Sequence, residues 1–145
     1  MKPADPFNLE RFVDAQDGIF ETALTELRAG CKQSHWMWFV FPQIAGLGRS
    51  STAIFFAIGS LGEARAYLAD PVLGPRLRQA VEALLPWAGR RPPGAIFGDI
   101  DALKLRSSLT LFDCAAPSDI FGKALIAHFA GEPDERTLAL ILGAR

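Results

Sequence analysis

Polar residues interrupt one otherwise strongly apolar stretch of the chain at positions 99 to 108, and five of them, besides Arg106, are candidate site residues. They are Asp99, Asp101, Lys104, Ser107 and Ser108. On a helix, spacings of three and four residues place Asp101, Lys104 and Ser108 on one face. If that face is buried, Lys104 pairs with Asp101 and the two serines bond back to the preceding helical turn. If it opens on a cleft, Lys104 can hold an anionic group, and Asp99 or Asp101 can act as an acid or base.

A second group of polar residues flanks the most aromatic part of the chain, Trp36-Met37-Trp38-Phe39-Val40-Phe41. The flanking residues are Lys32, Ser34 and Gln43. One interpretation is that they bond the exposed backbone groups at the two ends of a short helix. The other is that they point into a pocket walled by Trp36, Trp38 and Phe41, which would suit the stacking of a flat ligand ring.

Histidine and cysteine supply the usual catalytic bases, nucleophiles and metal ligands, and the chain has two of each. His35 precedes the tryptophans and can titrate near neutral pH, so it is either a satisfied structural residue or part of a site. His128 has no acidic or thiol neighbour at ligand spacing, and Cys31 and Cys114 lie in different segments. We therefore expect no bound metal, no cofactor and two reduced, buried thiols. No Ser-His-Asp or Cys-His assembly can be inferred from these positions.

Three further motifs are interpreted as structural or solvated. Gly46-x-Gly48 lacks the preceding strand of a dinucleotide-binding fingerprint and predicts a tight turn. Arg90-Arg91 is a pair of charges on a Pro-rich loop, and residues 134–136 form a charged surface segment. None of the three adds a candidate site to the two groups above.

Composition places the chain among ordinary single-domain proteins. With 145 residues, half of them apolar, residues 1–145 can bury a core of their own as one domain. A formal net charge of −1 argues against disorder and against electrostatic capture of nucleic acid. The N-terminal residues lack the apolar core of a signal peptide, and no window reaches the roughly 20 apolar residues of a membrane span. We therefore expect a soluble cytoplasmic protein, a monomer or weak dimer, with no nucleic-acid or membrane partner.

Helical periodicity runs through the chain and predicts an all-α fold, a compact single domain of seven to eight short helices. Capping residues and prolines set the expected bounds. The first expected helix runs from residue 6 or 8 to residue 30 and is interrupted or bent at Gly18. The others cover two turns of the aromatic segment capped by Ser34, then 51–58, 61–69 capped by Ser60, 71–85, 100–113 capped by Asp99, 119–130 capped by Ser118, and 134–142.

The helix over residues 100–113 is expected at the centre of the fold, because apolar residues cover most of its circumference. They are Leu103, Leu105, Leu109, Leu111 and Phe112. Residues 90–94 are expected to form a non-helical loop. The competing interpretation is an α+β fold whose small sheet pairs the aromatic segment with residues 95–97.

Several motifs together resemble one protein family. They are Lys32-x-Ser34-His35-Trp36-Met37-Trp38-Phe39-x-Phe41-Pro42-Gln43, Gly46-Leu47-Gly48-x-Ser50, Glu63-Ala64-x-Ala66-Tyr67-Leu68, and Ile96-Phe97-Gly98-x-x-Asp101-x-x-Lys104-Leu105-x-Ser107-Ser108-x-Thr110-Leu111-Phe112. The set is similar to the bacterial domain-of-unknown-function family eighteen-ten, uncharacterised proteins that genome annotation sometimes labels calpastatin. The resemblance covers nearly the whole chain and departs from the family pattern at Leu109, where methionine is expected.

This resemblance implies a compact, mainly helical domain and brings no established activity or catalytic residues with it. The calpastatin label does not fit the composition, because an inhibitory segment of that kind is disordered and polar whereas half of this chain is apolar.

Three functions of different classes are compatible with these residues. The leading hypothesis is a small helical module that binds a small molecule or protein at an aromatic-lined pocket. The alternatives are a small enzyme acting on a nucleotide-like or other anionic metabolite, and a structural or scaffold protein without a site. If there is a site, we expect the aromatic segment and the region 99–108 to meet, with Lys104 near Ser34, His35 or Gln43 and the tryptophans beneath.

Overall fold

The computed structural model describes residues 4–143 of the chain, which form ten α-helices and no strand. The helices are α1 Glu10–Gln16, α2 Phe20–Arg28, α3 Met37–Val40, α4 Ser51–Phe55, α5 Leu61–Ala69, α6 Leu73–Leu84, α7 Pro93–Phe97, α8 Asp99–Ala115, α9 Ile120–Phe129 and α10 Glu135–Gly143. A 3₁₀ turn over Leu85–Trp87 continues α6. The only pairing of extended backbone within residues 4–143 is one parallel bridge between Ile44 and Ile58. The predicted mainly helical fold is confirmed, and the small sheet of the competing interpretation is absent from this part of the chain.

The helix count and several helix ends differ from the prediction. The loop expected over residues 90–94 becomes helical at Pro93, because proline in the first turn of a helix gives up no hydrogen bond. Asp99 is the first residue of α8 and does not cap it, since the chain enters through Gly98 with φ of +82°. α9 is capped by Asp119 and not by Ser118, since the Asp119 carboxylate accepts the Ile120 N–H at 2.7 Å.

The helix starts predicted at residues 51 and 61 are correct, and the last helix begins at Glu135, directly after the predicted Asp134. Ser60 Oγ accepts the Glu63 N–H at 3.2 Å at the start of α5, and Glu63 Oε1 in turn accepts the Gly59 N–H at 3.0 Å. At the start of α10, Asp134 Oδ2 accepts the Thr137 N–H at 3.1 Å. None of the helices in the described range is both long and apolar enough to cross a bilayer.

The longest helix, α8, lies at the centre and packs against α5, α7, α9 and α10. Its buried residues include Leu105, Leu109 and Phe112, and the Phe112 ring contacts Tyr67 of α5 at a centroid distance of 5.3 Å. Leu103 was expected among these core positions, and that expectation is wrong. It is exposed, because the helices packed on α8 leave one side of its first turns open to solvent.

Two buried polar networks attach the N-terminal helix to the segments that follow it. The Arg11 guanidinium of α1 lies 2.7 Å from the Glu63 carboxylate and donates to the carbonyl oxygens of Phe55 and Ala57. Gln16, at the other end of α1, donates to the Phe39 carbonyl oxygen at 2.7 Å. α1 therefore holds both the aromatic segment and the end of α4 in place.

Gly74 and Gly62 occupy the second position of α6 and α5, and they offer a matched test of this packing. A methyl group at Gly74 would lie 2.1 Å from the Leu68 carbonyl oxygen, whereas at Gly62 its nearest neighbour would be 3.6 Å away. We expect Gly74→Ala to lower the free energy of unfolding by about 1–3 kcal/mol, since a backbone atom must move. Gly62→Ala should raise it by up to about 1 kcal/mol through helix propensity. Guanidinium unfolding of both variants measures the difference, and equal effects would contradict the packing of α5 on α6.

Candidate functional site

The loop before the aromatic segment is organised by one carboxylate of α2. Glu26 Oε1 accepts the backbone N–H groups of Gln33 and Ser34 at 2.7 and 2.9 Å and the indole N–H of Trp36 at 3.0 Å. Its other oxygen accepts the Ser34 hydroxyl at 2.6 Å. Burial alone would raise the pKa of Glu26, but these bonds outweigh it and lower that pKa from 4.5 to about 2.

The Glu26 carboxylate also explains why the prediction for Ser34 is wrong. Ser34 does not cap the aromatic helix, because its hydroxyl and its backbone N–H are both bonded to Glu26. The helix begins after Trp36 and has a single turn, α3, where two turns were expected. Glu26 itself is not among the candidate residues identified from the sequence. One signal was available, since an acidic residue in the last turn of a helix opposes the helix dipole and calls for another partner.

Lys32, Asp101 and Lys104 form what we call the lysine–aspartate cluster. The Lys32 Nζ atom lies 3.0 Å from Asp101 Oδ2 and donates to the Ser34 carbonyl oxygen at 2.6 Å, and only 7% of its side chain is exposed. The Lys104 Nζ atom lies 3.5 Å from Asp101 Oδ1, and 27% of its side chain is exposed. Two ammonium groups thus share one carboxylate, which leaves these three side chains with a net charge of one positive unit.

Each lysine of the cluster also lies over an indole ring. Lys32 Nζ is 5.0 Å from the ring centroid of Trp36, and Lys104 Nζ is 5.3 Å from that of Trp38. The aromatic segment and the start of α8 therefore meet at this cluster, as a shared site requires. Within the described residues, however, Lys104 makes no hydrogen bond to Ser34, His35 or Gln43.

The pocket walled by three aromatic rings is not formed. Trp36 and Phe41 are fully buried and pack on Phe97 at centroid distances of 6.4 and 6.2 Å, so they belong to the hydrophobic core. Trp38 is only partly buried and borders a hollow of about 20 Å³ that Gln43 also lines. A hollow of this size holds about one water molecule, so a ligand would have to lie against the exposed part of Trp38.

Polar groups beside this hollow are left without partners. Neither the indole N–H of Trp38 nor the side-chain amide of Gln43 forms a hydrogen bond with any residue in the range 4–143. Gly48 also lines the hollow, and a methyl group there would lie 2.5 Å from the Ala53 side chain. The surface around Trp38 therefore combines a partly exposed cation, Lys104, with an indole face and two hydrogen-bonding groups that no described residue pairs.

The other predicted site residues lie outside the cluster. His35 and Asp99 are exposed, and neither side chain forms a hydrogen bond with a described residue. The Ser107 hydroxyl lies 3.1 Å from the Leu103 carbonyl oxygen and 3.0 Å from Asp134 Oδ2, and its single proton is shared between these two acceptors, which links α8 to the start of α10. The Ser108 hydroxyl is buried and has no partner in the described part of the chain.

The chemistry available at the cluster is that of two ammonium groups, one carboxylate and two indole rings. The Ser34 hydroxyl donates to Glu26 and forms no hydrogen bond with a histidine in the described part of the chain. No group of three or more His, Cys, Asp or Glu side chains in residues 4–143 is arranged to hold a metal ion. Both cysteines, Cys31 and Cys114, are unpaired and half-buried, where full burial was expected.

The lowered pKa of Glu26 makes part of the stability dependent on pH. Because the folded-state pKa lies below the ordinary value of 4.5, this stabilisation is complete above about 4.5 and is lost as the pH falls toward 2. Glu26→Gln should lower the free energy of unfolding by about 1–3 kcal/mol near neutral pH. The difference in the free energy of unfolding between the unmodified protein and Glu26→Gln should disappear as the pH is lowered. Chemical unfolding at a series of pH values measures it. A difference in the free energy of unfolding that stays constant down to the lowest pH would contradict this role. So would an equal loss of stability in Glu82→Gln, which changes an exposed glutamate and serves as the control.

Comparison with known proteins places the chain in a family. It matches the profile described as Protein of unknown function (DUF1810) over residues 6–141, which is the eighteen-ten family that the motifs indicated. The crystal structure of the conserved hypothetical protein Rv1873 from Mycobacterium tuberculosis is similar, with a TM-score of 0.91 and 46% sequence identity over 95% of this chain and 99% of that one. No protein with a curated function matches. This chain therefore belongs to the DUF1810 family, whose function is unknown.

Proposed function

We propose that this protein is a binding module for a small anionic molecule that carries a flat ring, with Lys104 and Trp38 as its contact residues. The observation that carries the proposal is the position of the Lys104 ammonium group. Lys104 is partly exposed, its ammonium group lies 5.3 Å from the Trp38 ring centroid, and within residues 4–143 it shares with Lys32 the one carboxylate that it contacts.

Charge favours an anion at this position. The Asp101 carboxylate lies 3.0 Å from Lys32 Nζ but 3.5 Å from Lys104 Nζ. It therefore pairs more closely with Lys32, which is the more deeply buried lysine. A negative group about 4 Å from Lys104 would gain about 4 kcal/mol at the effective dielectric of a protein surface, before the cost of desolvation. Because Lys104 is already held between Asp101 and Trp38, little side-chain entropy is lost on binding.

The indole of Trp38 favours a flat ring beside that anionic group. An aromatic or heterocyclic ring can stack on the exposed part of the indole, an interaction worth about 1–3 kcal/mol for a nucleic-acid base. The amide of Gln43 and the indole N–H can then pair with polar atoms at the edge of the ring. A nucleoside monophosphate has both features, a phosphate group and a flat base.

Binding is preferred to the two alternative functions for separate reasons. An enzyme needs a reactive group next to a base, and Asp101 is held between two ammonium groups while His35 has no hydrogen-bond partner in the described range. A purely structural role accounts for Lys32, which is buried and paired, but not for the exposed side of Lys104 or the free groups of Trp38 and Gln43.

Lys104→Ala tests the proposal, with adenosine monophosphate, adenosine and inorganic phosphate as probes. Quenching of tryptophan fluorescence should report binding of adenosine monophosphate to the unmodified protein, and Lys104→Ala should weaken it by about tenfold or more. The free energy of unfolding should change by less than about 1 kcal/mol, since a partly exposed ion pair contributes little.

Lys123→Ala, an exposed lysine of α9, is the matched control and should bind like the unmodified protein. Trp38→Leu should weaken binding of adenosine monophosphate but leave binding of inorganic phosphate unchanged. If the probes bind equally to the Lys104 and Lys123 variants, or if none binds to the unmodified protein, the proposed site is wrong.

A further inference from the structure

A second cavity, unrelated to the lysine–aspartate cluster, lies between α9 and the loop that precedes α7. Its volume is about 350 Å³, and it is lined by Arg90, Arg91, Pro92, Pro93 and His128 among others. None of its lining residues is acidic. Two residues with a permanent positive charge therefore line one concave space, and no residue with a carboxylate lines it with them.

The loop that carries the two arginines is held firmly to the core. The backbone N–H groups of Arg90 and Arg91 both donate to the Trp87 carbonyl oxygen at 2.9 Å. The Trp87 indole donates to the Leu27 carbonyl oxygen at 3.1 Å, and Arg91 Nε donates to that of Gly30 at 2.7 Å. The cavity wall is thus preorganised by bonds to α2 and to the residues just after it, which reduces the entropy that a ligand must overcome.

The guanidinium group of Arg90 is not paired with any described residue. It forms no hydrogen bond or ion pair with a described residue and only lies over the Trp87 ring, at 5.5 Å from its centroid. Its five N–H donors are therefore free. Arg91 donates only to backbone carbonyl oxygens, those of Gly30 and Ala95, so no carboxylate neutralises its charge.

His128 forms the α9 side of the cavity. Burial lowers the pKa of its imidazole, against the opposing effect of a bond to the Leu84 carbonyl oxygen. Its Nε2 atom is buried and has no partner among residues 4–143. The His128 imidazole that lines the cavity is thus uncharged at physiological pH, and the positive charge of the cavity comes from the two arginines.

We propose that this arginine cavity binds the phosphate group of a small molecule. A guanidinium fork matches the oxygen geometry of phosphate, and a phosphate dianion balances two guanidinium charges where a single carboxylate balances one. The volume is at the lower end of the range for small-molecule sites, which suits a phosphate with a small substituent and not an extended cofactor. From the sequence, Arg90 and Arg91 were interpreted as simply solvated. The cavity that they share with His128 forms only when the chain folds, so it could not be recognised in the sequence.

Side-chain nitrogen–proton spectra of the arginines provide the test, with inorganic phosphate as the probe. The titration uses the Lys104→Ala protein at constant ionic strength, so that binding at the lysine–aspartate cluster does not contribute. We expect the Nε–H signals of Arg90 and Arg91 to shift along a saturable curve while that of the exposed Arg65 stays in place. Arg90→Ala should weaken phosphate binding by about tenfold or more, and Arg65→Ala should leave it unchanged.

Three outcomes would overturn the proposal. The first is a linear shift of all arginine signals, which would mean only nonspecific ionic contact. The second is phosphate binding of equal affinity in the Arg90→Ala and Arg65→Ala proteins. The third is succinate binding as tightly as phosphate, which would exclude selectivity for the phosphate group. The first and third outcomes are measured on a protein that keeps both arginines. They therefore test the proposal even if the Arg90→Ala protein folds poorly.

Discussion

The buried ammonium group of Lys32 is the constraint on which the arrangement of this protein's candidate site depends. A charge that is almost fully removed from water costs several kcal/mol unless it is paired and hydrogen-bonded. Lys32 meets that requirement with the Asp101 carboxylate at 3.0 Å, the Ser34 carbonyl oxygen at 2.6 Å and the face of Trp36. These partners come from the loop before α3 and from α8, so satisfying one charge holds the aromatic segment against the central helix. Lys104 and Trp38 are neighbours because of this arrangement.

Glu26 supports the same arrangement from α2. Its carboxylate bonds the loop backbone and the Trp36 indole, which orients that indole beneath Lys32. Two buried or partly buried charges of opposite sign thus position one aromatic ring from two directions. The two tryptophans therefore differ in their surroundings. Trp36 is part of the core, while Trp38 reaches the surface and its N–H group has no partner among residues 4–143.

The polar residues divide in a similar way between structure and function. Ser34, Ser107 and Asp134 are fully occupied by internal bonds and explain how loops and helices are attached. Lys104, Gln43 and the two arginines of the loop before α7 have donors that no described residue uses fully. Unused donors on a preorganised wall can bind a ligand at little entropic cost, and both proposed sites consist of such groups.

The sequence by itself determined the helical class, the family and the local signals of individual helices. Ser60 was identified as a helix cap because Glu63 lies three residues after it, and Pro133-Asp134 as the start of the last helix. Both signals involve only neighbouring residues, so they can be recognised in the sequence. It also identified Asp101 and Lys104 as a pair, since they lie one turn apart on α8. The predictions for Ser34 and Asp99 were wrong because the bonds of Glu26 and the entry through Gly98 override local capping preferences. Only the tertiary structure decided which tryptophan is buried, that Lys32 joins the pair, and that Arg90, Arg91 and His128 share a cavity. Those contacts join segments far apart in sequence, and the spacing of residues along a chain carries no information about them.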